Sequence, residues 1–143
     1  MMTSMMKIRL TKGFSLIELM VVVGIIAILV ALGSVSFTTA QKKARDARRK
    51  TDVKAMQNAF EQYYSVNGGY AACGTMAAQG GDYLPGGLPS DPKPGWSAYN
   101  CSYDAGTGEY CACALLENEQ GNASAGDCSD YTIGDYFCVQ NQQ

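Results

Sequence analysis

Glu18 is the residue whose position most demands a chemical explanation. It is the one charge in FSLIELMVVVGIIAILVALGSVSF, the 24 residues from Phe14 to Phe37. A carboxylate inside such a run costs at least about 2.5 kcal/mol to insert into a bilayer, so it needs a partner. No Lys, Arg or His lies between Phe14 and Lys42, so no side chain of the run can neutralise it. A cut between Gly13 and Phe14 would free an α-amine at Phe14, four residues before Glu18. At that spacing two charges share a helix face, and they could equally meet between neighbouring chains. The chemistry this stretch invites is proteolytic processing followed by an ion pair.

Other residue types point to a stapled head and away from catalysis. Six cysteines (Cys73, Cys101, Cys111, Cys113, Cys128, Cys138) all lie beyond residue 70. An even count in a small, loop-rich exported domain reads as three disulfides, each contributing about 2–4 kcal/mol, with 15 pairings open. Cys111 and Cys113, two apart on a strand, point to one face about 6–7 Å apart, which disfavours a mutual bridge and pairs each with a neighbouring segment. With no His and no C-x-x-C pair, zinc is the weaker reading. The chain also lacks a nucleophile motif or phosphate loop, and it reads as a substrate of processing enzymes rather than an enzyme.

Charge is asymmetric along the chain. Ten of the 11 basic residues fall before residue 55, and beyond Lys54 ten acids face only Lys93, a balance of about −9. Such a surface repels nucleic acid. The basic stretch Lys42 to Lys54 contains Asp46 and Asp52 and no aromatic residue, so it is expected to be a solvated or intersubunit helix face, not a nucleic-acid site.

The elements that must position these residues follow from pattern. As a helix, Phe14 to Phe37 is long enough for a hydrocarbon core about 30 Å thick. Lys7, Arg9 and Lys12 precede it without an acid, which keeps residues 1–13 cytoplasmic and sends the rest outward. A secretory signal has a shorter apolar core, and an uncleaved anchor leaves Glu18 unexplained. Helix continues through 38–67, where Arg48/Asp52 and Asp46/Lys50 are candidate i,i+4 pairs and Val53, Met56, Phe60 and Tyr63 form one apolar stripe. Asn67-Gly68-Gly69 ends it. Residues 74–100, holding all four prolines, read as a loop. Strands are expected at Ser97–Tyr103, Glu109–Glu117, Tyr131–Ile133 and Asp135–Gln140, with a hairpin turn at Gly106–Gly108. The fold class is α+β: a long N-terminal helix, hydrophobic then amphipathic, packed on a small antiparallel sheet. The divisions are 1–13 leader, 14–37 apolar helix, 38–67 amphipathic continuation and 68–143 disulfide-rich head.

Lys12-Gly13-Phe14-Ser15-Leu16-Ile17-Glu18 followed by the apolar run resembles the N-terminal signature of type IV prepilins and type II secretion pseudopilins. The resemblance implies removal of the leader after Gly13 by a prepilin peptidase and methylation of the Phe14 amine. It further implies pairing of Glu18 with the amine of an adjacent subunit, which sets register as a filament grows. Partners implied are other copies of the chain, an assembly platform, minor pilins and the membrane; the head lies outside the inner membrane, later in an extracellular or periplasmic filament. Leu88-Pro89-Ser90-Asp91-Pro92 and the Gly69-Tyr70 helix exit resemble elements of major pseudopilins, extending the likeness to about residue 100. Those proteins bind calcium in a C-terminal loop, and Asp127, Asp130 and Asp135 are the candidate ligands here, beside the plainer reading of a solvated acidic loop. The usual Pro at the twenty-second mature position is Val35, flanked by Gly33, Ser34 and Ser36. The contrasting class is an anchored binding ectodomain that does not polymerise.

Overall fold

The computed structural model describes residues 13–78, 83–96 and 99–143; of the side chains of Ser34 and Val35 nothing is described. The leader before Gly13, the Gly80-Gly81 portion of the loop and the start expected for the first strand at Ser97 lie outside the described residues. Element order is α1 (Leu16–Asn67), α2 (Cys73–Ala78), β1 (Asn100–Asp104), β2 (Glu109–Leu115) and β3 (Tyr136–Gln140). The chain forms two compact units, Met1–Phe37 and Thr38–Gln143.

In the first unit, α1 presents its apolar side chains to the outside. Leu16, Ile17, Met20, Ile28, Leu29 and Leu32 are all more than 60 % exposed. Mutual packing within the chain therefore does not account for this composition. The segment is long and apolar enough to cross a membrane.

The second unit is built on the stripe. Val53, Met56, Phe60 and Tyr63 are buried, as their spacing predicts. They pack on a three-stranded antiparallel sheet of order β1-β2-β3. Strand β2 alternates: Tyr110, Ala112 and Ala114 belong to the cluster with the helix stripe, Met76 and Val139, whereas Cys111 and Cys113 face the other way. The small Ala112 and Ala114 leave room for helix side chains, and Phe60 meets Tyr110 edge-on with ring centroids 5.0 Å apart. Burying Phe60 completely contributes about 1.5–3 kcal/mol. The helix ends where Gly68 takes a positive φ of 72°, its N–H bonded to the Tyr64 carbonyl at 2.7 Å. Glu61 ties the exit and the C-terminus together by accepting from the hydroxyls of Tyr70 and Tyr110 and from the N–H of Gln142.

Several expectations need correction. The stretch expected to be loop holds the short helix α2, anchored by buried Cys73, Met76 and Ala77. Tyr131–Ile133 is not a strand: β3 begins at Tyr136, and Ile133 is 73 % exposed. Its β-forming composition finds no neighbouring strand to pair with among the described residues, because the 118–135 segment turns back across the sheet and meets β3 through the isolated bridge of Ala123 with Tyr136. That crossing is close, since a Cβ on Gly121 would lie 1.8 Å from the Tyr136 carbonyl oxygen. The hairpin turn lies where expected, with Gly108 at φ 75° and its N–H on the Asp104 carbonyl at 2.8 Å.

Candidate functional site

The N-terminal residues come first. Ser15 precedes the helix and its carbonyl accepts the Leu19 N–H at 3.2 Å. Ser15-Leu16-Ile17-Glu18 has the spacing of a helix-capping box, which puts Glu18 in the first turn. There the helix dipole favours a carboxylate by about 0.3–1 kcal/mol, a contribution that spacing relative to a cleavage point did not reveal. It is well short of the insertion cost, so a cation is still required. Phe14 is 74 % exposed and Glu18 is exposed beside it. Among the described residues, a Cβ on Gly13 would meet nothing within 4 Å.

The basic stretch is not simply a solvated face. Arg49 and Asp46 are completely buried. Arg49 grips Asp91 through Nε at 2.6 Å and Nη2 at 2.8 Å, and its Nη1 lies 2.8 Å from Asp46 Oδ1 and 3.0 Å from Glu117 Oε1. Asp46 also accepts the backbone N–H groups of Glu117, Asn118 and Glu119 at 2.8, 2.8 and 3.2 Å. Glu117 receives Arg45 through two bonds of 2.7 and 2.9 Å and Lys93 Nζ at 3.1 Å. Lys93 Nζ sits 3.8 Å from the Trp96 ring centroid, and the Arg49 guanidinium carbon 5.4 Å from it. The expected Asp46/Lys50 pair is replaced, since Asp46 turns inward to Arg49 and Lys50 reaches Glu119 at 2.6 Å. Arg48 and Asp52 do pair, at 3.8 Å.

This network joins the helix to the Leu88–Pro92 element and to the end of β2. Three side chains of one sign meet three of the other: Arg45, Arg49 and Lys93 against Asp46, Asp91 and Glu117. The Arg45 hydrogen bonds, against the opposing effect of burial, hold the Glu117 carboxyl well below the usual carboxylate range. Burial pushes the Asp91 carboxyl up, but the Arg49 bonds outweigh it and the net direction is down. Arg49 is held above its ordinary value, chiefly by Asp91. Sequence reasoning singled out Asp91 within its motif and counted Arg45 and Arg49 as a charge run. The seven-residue offsets of Asp46 from Val53 and of Arg49 from Met56, which put both on the buried face, were the available signal.

The cysteines are joined as Cys73–Cys101, Cys111–Cys128 and Cys113–Cys138. The first ties α2 to β1 inside the main core; the other two lie together on the outer face of the sheet. Asp127 accepts from the N–H and hydroxyl of its neighbour Ser129. Asp130 accepts from the Ser124 hydroxyl and the Thr132 N–H, and both carboxyls titrate below their ordinary value because of these bonds. Asp135 is exposed, and its carbonyl accepts the Leu116 N–H at 2.8 Å. Asp127 and Asp130 each hold a separate local turn through these bonds.

Comparison with known proteins agrees with the N-terminal geometry. Residues 8–34 match the family model described as the prokaryotic N-terminal methylation motif. The type IV major pilin protein PilA of Myxococcus xanthus is 38 % identical over 60 residues, 42 % of this chain and 27 % of that protein. The chain thus spans about a quarter of that pilin. The type II secretion system core protein G of Vibrio cholerae is 29 % identical over an alignment of 145 positions, covering 92 % of this chain and 99 % of that protein. No solved structure matches the chain. The chain thus carries the prokaryotic N-terminal methylation motif on a long apolar helix joined to a small antiparallel sheet, and is similar to a type IV major pilin and to a type II secretion core protein.

Proposed function

We propose that the chain is a structural subunit of a helical filament, matured by a prepilin peptidase that cuts between Gly13 and Phe14 and methylates the new amine. The observation that carries this reading is Glu18 in the first turn of a helix whose described apolar side chains as far as Phe37 are exposed. Exposure at Gly13 and Phe14 supports access to the scissile peptide, and among the described residues nothing packs where a side chain at Gly13 would lie. Before assembly the helix rests in the inner membrane with the head outside. On assembly it leaves lipid for a core of like helices, where burial of its apolar surface supplies cohesion. Glu18 then sets register, because a subunit stopped at the wrong height leaves its carboxylate unpaired in an apolar medium.

Between the two kinds of filament, alignment along nearly the whole chain with a type II secretion core protein supports a secretion pseudopilus. The pilin match ends after 60 residues and supports only the shared helix. An assembly platform and minor subunits are the partners either filament requires. The test is Glu18→Ala: the variant inserts and is processed but yields few filaments. Normal filaments from it would refute the register role. Gly13→Val leaves the precursor uncut, and a mature-length product from it would refute the cleavage assignment.

A further inference from the structure

The outer face of the sheet is held by sulfur. Its buried cluster consists of Cys111, Cys113, Cys138 and Ala123, with Cys128 and Tyr136 packed against it. No large aliphatic side chain belongs to that cluster; besides the disulfides, the 118–135 segment is tied to β3 by the Ala123–Tyr136 backbone pair and by Asn122, which bonds both the N–H and the carbonyl of Cys138. The two disulfides are also in contact with one another. Cys113 Sγ lies 3.4 Å from Cys111 Sγ and 3.7 Å from Cys128 Sγ, each belonging to the neighbouring bridge. The sulfurs of Cys111, Cys113 and Cys128 all fall within 4.8 Å of one another, and Cys138 is bonded to Cys113.

We infer that Cys111, Cys113, Cys128 and Cys138, when their two disulfides are reduced, form a tetrathiolate site for a soft divalent metal of the zinc class. A zinc–thiolate bond of about 2.3 Å in a tetrahedron sets sulfurs about 3.8 Å apart. The contacts between the two bridges are already close to that edge, and reduction lets each bonded pair open toward it. The supports are two cysteines on one face of β2, a third directly across the ladder where Cys113 pairs with Cys138, and a fourth from the returning loop. Cys128 is the one non-glycine residue with positive φ among the described residues, at 58°. A surrounding structure must hold such a backbone in place, and its effect is to deliver the fourth sulfur. The sequence hides the site because no C-x-x-C pair is present; Cys111-Ala112-Cys113 supplies the same two-ligand unit through strand alternation. A disulfide pair and a metal are alternative staples for a face with a thin core.

The chemistry balances with an added reductant. A phosphine reduces each disulfide to two thiols and becomes its oxide with the oxygen of water. Binding of the metal ion then releases the four thiol protons as the thiolates take their places on it.

The test uses the full chain in detergent, reduced with a water-soluble phosphine and titrated with Co²⁺ and then Zn²⁺. We expect one cobalt per chain with the visible bands of a tetrahedral thiolate complex, bleached by Zn²⁺, unchanged in Cys73→Ser/Cys101→Ser and lost in Cys113→Ser. Alkylation of the wild-type chain provides a readout independent of any variant's folding. Zn²⁺ should protect Cys111, Cys113, Cys128 and Cys138 and leave Cys73 and Cys101 reactive. No tetrahedral spectrum, or equal alkylation of all six cysteines with and without Zn²⁺, would overturn the inference.

Discussion

Arg49 and Asp91, 42 positions apart, meet through two hydrogen bonds of 2.6 and 2.8 Å, with the arginine side chain wholly out of solvent. The pair fixes the Pro-rich segment to the second half of α1, and does so with the planar fork that only arginine offers. Because Asp46 and Glu117 also lean on this guanidinium, its removal takes a charged partner from three carboxylates at once.

Arg49→Met is therefore expected to destabilise the head by about 3–5 kcal/mol, the cost of breaking a buried ionic group by deleting one side. Arg49→Lys should fall between, since it keeps the charge and loses the fork. Urea unfolding of the detergent-solubilised chain checks both. A loss under about 1 kcal/mol for Arg49→Met, the range of surface pairs, would show that the network is not holding the fold.

Acid should weaken the same network. Glu117 and Asp91 both titrate below their ordinary values of 4.5 and 3.8 in the folded chain, so the unfolded chain takes up more protons in acid. Their contribution is complete above those ordinary values and is lost as pH falls through them toward the lower folded ones. Thermal stability is expected to stay nearly level from about pH 8 to about pH 5 and then fall. Glu117→Gln should start less stable and show a shallower acid decline. An identical decline in that variant would assign the acid sensitivity to other groups.

A buried and an exposed apolar side chain of the head give a contrast. Phe60→Ala should cost about 3–5 kcal/mol, since a buried ring leaves a cavity against Tyr110. Ile133→Ser should stay within about 0.5 kcal/mol because the side chain is 73 % exposed. Unfolding midpoints of the two variants measure this directly, and similar losses would contradict the burial pattern.

What the sequence made legible, and what it did not, divides along physical lines. The apolar run, the helical stripe from Val53 to Tyr63 and the glycine stop at Gly68 are periodic or local signals, and each is present in the structure. Strand β2 was legible because alternation places Tyr110 and Ala112 on opposite sides from Cys111 and Cys113. Tyr131–Ile133 misled because β propensity describes a fit to a half-buried surface, and here no partner strand provides one. The burial of Arg49 and Asp46 was hidden because it depends on Asp91 and Glu117, supplied by segments remote in the chain. At the N-terminus Glu18 was legible as a lone charge in an apolar run, while its place in the first turn became clear only once the helix start was fixed at Leu16.

The claim on which the functional reading rests is that Glu18 acquires its cation through cleavage just upstream. Intact-mass and N-terminal fragment spectra of the protein recovered from membranes and from sheared filaments test it most directly. The predicted result is a chain beginning at Phe14 with one methyl group on its amine. A functional filament whose subunits retain the thirteen residues through Gly13 would contradict it.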